Sequence, residues 1–212
     1  MQIFWHGQTC FKIVIQNGKN GNVVVLIDPF DKETGLKPPR IEADILLFAG
    51  EEKKPAPENV FSVTGPGEYD VKGIYIRGFP ALSRKDNGRP AGASAIYTIE
   101  GEDIKICHLG KISSAEIGSK DFEQIGDVDI LMLPVGGSDA IDAKEAIKIM
   151  SQIEPKITIP MYYKVPGLKA KLDDLEKFLR SLGVKKMEQF DKLSIKKKDL
   201  SEDEAKIFIL KP

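Results

Sequence analysis

Four consecutive apolar residues, Ile45, Leu46, Leu47 and Phe48, give way at once to Ala49, Gly50 and the charged run Glu51, Glu52, Lys53, Lys54 before Pro55. The run is too short for a helix and too uniformly apolar for a strand with one wet face, so it predicts a strand buried on both faces. A loop leaving the end of such a strand is where sheets of the α/β type place ligand or metal chemistry. Here that loop offers a metal two glutamates and nothing else.

Strand and turn signals fill the rest of the first half. Imperfect alternation marks residues 1–15 as strand-forming, and the turn-rich segment 16–22, QNGKNGN, precedes a strand over 23–28 that Asp28-Pro29 terminates. Gly35, Pro38 and Pro39 mark 31–40 as a surface connection. Thr64-Gly65-Pro66-Gly67 introduces a strand over 68–77 rich in β-formers. No helical pattern follows those glycines, which argues against a phosphate-cradling loop. Residues 83–92, SRKDNGRPAG, read as a hairpin-like loop whose Arg84, Lys85 and Arg89 form a solvated basic surface. A hairpin follows, with strands over 94–100 and 104–107 around Gly101-Glu102-Asp103.

Helical spacing belongs to the second half. Asp142 with Glu145 three residues later is a capping box, and Ala143, Ala146, Ile147, Met150 and Ile153 mark one face of a helix that Pro155 stops. Strands over 129–133 and 156–159 flank it, predicting a parallel strand-helix-strand crossover. A second helix is predicted over 168–182, stopped by Gly183. The tail ends in a strand over 207–210.

Charge and composition exclude several classes. Lysine plus arginine number 31 against 32 aspartates and glutamates, so the net charge of −1 gives no global attraction to nucleic acid or to an anionic membrane. Lysines 185, 186, 192 and 196–198 are interspersed with acids and read as a solvated face. No signal peptide and no run of about 18 apolar residues is present, and the reading is cytoplasmic. Cys10 and Cys107 lie in apolar strand-like segments, as reduced buried thiols do. The chain has two histidines, His6 and His108, too few for a multi-histidine zinc site. Cys107 and His108 are neighbours on a strand and face opposite sides, which opposes a thiolate-imidazole pair. His6 reads as a packing residue.

The segments IFWHGQTCFKI (3–13), VVVLIDPF (23–30), ADILLF (43–48), GPGEYDVKGIYIRGFP (65–80), IKICHLGK (104–111), DVDILMLPVGGSDAIDAKEA (127–146) and KITIPMYYKVPG (156–167) together resemble the metallo-β-lactamase-fold hydrolases related to ascorbate-6-phosphate lactonase. The resemblance covers nearly the whole chain. It implies a single α/β domain over 1–212, folded as a four-layer αββα sandwich with the metal loops at one edge. In that family the loop after the third of these segments reads Thr-His-x-His-x-Asp-His, and residues 49–55 of this chain keep none of those ligands. The other ligand positions fall on Ser83, Lys111 and Tyr162.

The resemblance therefore implies a candidate pocket of Glu52, Lys54, Ser83, Lys111 and Tyr162, flanked by Asp28 and His108, with no metal or other cofactor expected. Lys54 and Lys111 are expected to stand where cations stood and to pair with Glu52 or another carboxylate nearby such as Asp28, because a buried unpaired ammonium is strongly unfavourable. The leading functional reading is a non-catalytic binding or assembly module. Two alternatives are a hydrolase of phosphorylated, lactone or phosphodiester substrates that works without metal through Lys111, Lys54 and Tyr162, or one with zinc in a rearranged site of Glu52, Asp28 and His108. Expected partners are a protein or a small anionic ligand; no membrane or nucleic acid is expected, and a homo-oligomer stays open.

Overall fold

The computed structural model describes residues 1–18, 21–50, 57–84, 90–113, 124–201 and 204–212, and for 82–84 and 90–93 the backbone alone. β1 (Gln2–Trp5), β2 (Phe11–Gln16) and β3 (Asn22–Ile27) form an antiparallel meander, and β4 (Ile45–Phe48) and β5 (Phe61–Thr64) then add in parallel beside β3. All four residues of β4 are buried, as its uniform apolar sequence requires. Ile45 and Leu47 face the main core, whereas Leu46 and Phe48 join Cys10, Leu26 and Phe30 in a smaller outer cluster. Phe30, Leu36, Ile41 and Ala43 cover that outer face. The covering stretch contains the single 3-10 turn Lys32–Thr34 and, among the described residues, no α-helix.

The predicted strand over 68–77 is instead a hairpin, β6 (Gly67–Val71) and β7 (Ile74–Arg84), because Lys72 and Gly73 both take positive φ and turn the chain. β8 (Pro90–Gly101) pairs with β7 up to Arg84 opposite Pro90, so the predicted loop over 83–92 narrows to residues 85–89, outside the described set. β9 (Ile104–His108) returns through a turn at Glu102 and Asp103, both at positive φ. β10 (Ile130–Pro134), α1 (Ala143–Ile153) and β11 (Ile157–Met161) build the predicted parallel crossover. The Asp142 carboxylate accepts the Lys144 and Glu145 N–H groups while Glu145 accepts the Asp142 N–H.

α2 (Leu175–Ser181) is shorter than predicted. Residues 168–174 cannot coil because tertiary partners take their backbone: Asp173 donates to Gly136 O and accepts from Lys164 N–H, and Lys169 donates to Thr34 O. Gly183 does end the helix, its N–H reaching Arg180 O and that of Val184 reaching Leu179 O. The tail supplies the two-residue strands β12 (Gln189–Phe190), β13 (Leu193–Ser194), β14 (Lys206–Ile207) and β15 (Ile209–Leu210).

Two mixed sheets result, ordered β13-β1-β2-β3-β4-β5 and β14-β11-β10-β9-β8-β7-β6, packed through a shared apolar core. This is the α/β sandwich of the metallo-β-lactamase fold. Fully burying each isoleucine, leucine or valine of that core contributes about 1.5–3 kcal/mol. Cys10 and Cys107 are buried without a disulfide, and burial pushes the Cys107 thiol up to about 12. No helix among the described residues is long and apolar enough to cross a membrane.

Asp129, just before β10, fastens the tail to the second sheet. Its carboxylate accepts the Lys105 backbone N–H at 3.0 Å, lies 2.9 Å from Lys197 Nζ and 3.2 Å from Lys156 Nζ. Burial alone would raise its pKa, but the Lys105 N–H and the Lys197 and Lys156 ammoniums outweigh it and hold the carboxyl below the usual range. A depressed folded pKa contributes stability that is fully present above the unfolded value of about 3.9 and is lost as pH falls through the folded value. Asp129→Asn is therefore expected to cost about 1–3 kcal/mol at pH 7. The gap between urea titrations of wild type and variant should begin to narrow as pH falls below about 4 and close only below the depressed folded value; a constant gap would sink this assignment.

Candidate functional site

The described residues that follow the C-terminal ends of β4, β9, β10 and β11 gather at one edge of the sandwich. Ala49, the first residue after β4, is held from both sheets. Its N–H donates to Asp28 Oδ1 at 2.7 Å, and its carbonyl accepts the Ala95 N–H at 2.8 Å and the Ser94 hydroxyl at 2.9 Å. Asp28 thus supports the loop from β3. One residue earlier, the fully buried Tyr97 phenol lies 3.0 Å from Phe48 O and accepts the Gly65 N–H, and burial pushes its pKa upward.

Lys111 and Tyr162 do meet, on a carboxylate that the sequence reading did not single out. Tyr162 donates its phenol proton to Asp139 Oδ1 at 2.5 Å, and Lys111 Nζ lies 3.5 Å from Asp139 Oδ2. The ammonium also sits 5.7 Å from the centre of the Tyr162 ring. Asp139 belongs to the loop between β10 and α1, so one carboxylate joins three loops. Close backbone approach makes this geometry: a Cβ on Gly136 would stand 2.1 Å from Tyr162 O, and Tyr162 itself has a φ of 53°. Its N–H is secured by Gln8 O at 3.1 Å. The signal for Asp139 was a carboxylate following Gly136-Gly137 at the end of a buried strand, the same logic that singled out the loop after β4.

Lys111 was expected to pair with Glu52 or another carboxylate nearby such as Asp28; the carboxylate it meets is Asp139, while Asp28 accepts the Ala49 N–H. Glu52 and Lys54 fall outside the described residues, as do Lys85 and Arg89. Ser83 is described in backbone only, within β7.

His108 does not fit a rearranged metal site. The Gly110 N–H donates to Nδ1 at 3.2 Å, so Nε2 carries the proton and donates to Thr9 O at 2.8 Å. Neither nitrogen has a lone pair to offer. The ring is fully buried edge-on to Phe11, and desolvation lowers its pKa against the opposing charge of Asp28. His6 is half-buried, its pKa lowered by desolvation and then by Lys12.

The fold implies a divalent metal at this edge, and among the described residues the donors do not suit one. Lys111 is a cation with no lone pair, Tyr162 is a neutral phenol engaged with Asp139, and His108 has both nitrogens bonded. Among the described residues no three histidine, cysteine, aspartate or glutamate side chains cluster as a ligand set.

Asp139→Ala is expected to cost about 1–2 kcal/mol by leaving the buried phenol without its acceptor, a fall in Tm of several degrees. Lys111→Ala, which removes a half-exposed partner, should cost under about 1 kcal/mol. Thermal melts of both variants check this, and the reverse ranking would show that the ammonium rather than the phenol is the principal partner.

Comparison with known proteins agrees with this architecture. Residues 2–162 match the family model described as a beta-lactamase superfamily domain. A UPF0173 metal-dependent hydrolase of Thermococcus onnurineus is 26% identical over 241 residues, covering 97% of this chain and 94% of its own length. A UPF0173 protein of Pyrococcus abyssi is 30% identical over 197 residues, covering 79% of this chain and 85% of its own. A solved Thermotoga maritima structure, assigned as a Zn-dependent hydrolase of the metallo-beta-lactamase superfamily, has a TM-score of 0.76 at 27% identity and spans 99% of this chain and 98% of its own. With the family match extending from β1 to the site residue Tyr162, the chain belongs to the beta-lactamase superfamily, among the UPF0173 relatives.

Proposed function

We propose that this chain is a degenerate, non-catalytic member of its superfamily, a binding or assembly module that works without metal. The observation that carries the reading is the meeting of Lys111 and Tyr162 on Asp139 at the loop edge, in a chain whose relatives are named metal-dependent hydrolases. Hydrolysis of the metal-assisted kind needs a cation to polarise the substrate and to lower the pKa of a bound water. An ammonium in that place repels a divalent cation and is itself neutralised by Asp139. The same hydrogen-bonded set fastens three loops to one another, a mechanical role that a metal bridge would otherwise serve.

The test is metal loading of untagged protein with zinc or manganese, followed by gel filtration, elemental analysis, and phosphodiester and lactone hydrolysis assays with and without chelator. Metal well below one equivalent, with no turnover, is the expected result. Stoichiometric metal with chelator-sensitive turnover would overturn the reading. Turnover indifferent to chelator would instead favour a metal-free hydrolase using Lys111 and Tyr162, and Asp139→Ala would then change its pH profile.

A further inference from the structure

We propose that β5 is a self-pairing edge, and that two copies of this chain associate by joining their β5 strands antiparallel across a two-fold axis. Among the described residues β5 ends its sheet, bonded only to β4, and its Ser62 and Thr64 are exposed. An exposed strand edge is a template for another chain, and natural sheets blunt their edges with charge, proline or brevity. The other described ends of the two large sheets are blunted. β13 and β14 are two residues long, the latter with Lys206, and β6 carries the exposed acids Glu68 and Asp70. β5 has four residues, Phe61, Ser62, Val63 and Thr64, none of them charged, and Phe61 is 44% exposed.

The occupant follows from the strand's own chemistry. The Phe61 N–H points at β4, bonding Asp44 O, so by alternation the Ser62 and Thr64 backbone groups point to the open edge. In a two-fold antiparallel pair with Ser62 on the axis, Ser62 meets Ser62 of the second copy as a hydrogen-bonded pair. Phe61 then stands directly opposite Val63 of the other copy, twice, on the face that already buries Val63. Aromatic and β-branched residues are favourable cross-strand neighbours. A two-fold interface sets a strand against its own copy, so the two acids of β6 would approach the same two acids of the second strand, which selects the uncharged β5 over β6. Phe61 already leans edge-on against Tyr69 of β6 at 6.2 Å, so the second copy would cover an aromatic pair at the mouth between the sheets.

This gives the assembly part of the proposed function a surface, yet it fails or holds separately from the metal question: a zinc-loaded enzyme could pair through β5, and a metal-free module could stay monomeric. The experiment is sedimentation velocity across a concentration series with wild type and Ser62→Pro. The proline removes an N–H that points away from β4, a position that edge strands tolerate. Wild type should dimerise and Ser62→Pro should stay monomeric with an unchanged folded circular dichroism spectrum. A second arm keeps the test decisive should the proline prevent folding: under mild oxidation Ser62→Cys should cross-link as a dimer and Thr64→Cys should not. A wild type monomeric throughout, a proline variant that still dimerises, or equal cross-linking at both positions would overturn the proposal.

Discussion

At the end of β4 the two sheets touch through polar groups rather than through apolar side chains alone. Ala49 accepts hydrogen bonds from Ser94 and Ala95 of the second sheet while Asp28 of the first holds its N–H, and Tyr97 reaches across to Phe48. A sandwich core is non-directional, since oil-like contact fixes distance but not register. These bonds supply direction. They set where the loop after β4 begins and, through Gly110 packed on Ala49, where the loop after β9 leaves, bringing Lys111 to the edge.

Once the loops are placed, electrostatics decides what the edge can hold. A metal centre there would need several lone pairs converging on one point. This chain instead converges a half-exposed ammonium and a phenol on a single carboxylate. The buried imidazole nearby is satisfied by a carbonyl on one side and an amide on the other.

Much of the architecture was legible in the order of residues because burial imposes a period. β4 was legible from four apolar residues, α1 from its capping box and stripe, and the crossover from the strands on either side. Two elements were misjudged where backbone preference was overridden or overlooked. Lys72-Gly73 is a turn dipeptide hidden in a run of β-formers, and residues 168–174 carry a helical stripe whose backbone groups are claimed by distant loops. The partner of Lys111 was illegible for a different reason. Asp139 lies 28 positions along the chain, and only the folded loops show that Asp28 is already engaged.

The cover over the outer face of the first sheet has an implication for the order of assembly. Residues 29–44 hold Phe30, Leu36, Ile41 and Ala43 against β4 with one 3-10 turn and no longer run of local hydrogen bonds. A helix can nucleate by itself before docking, but a segment of this kind has nothing to gain until the surface beneath it exists. It must arrive late and detach early, so Cys10, beneath that flap, would meet solvent through a local opening long before Cys107 does.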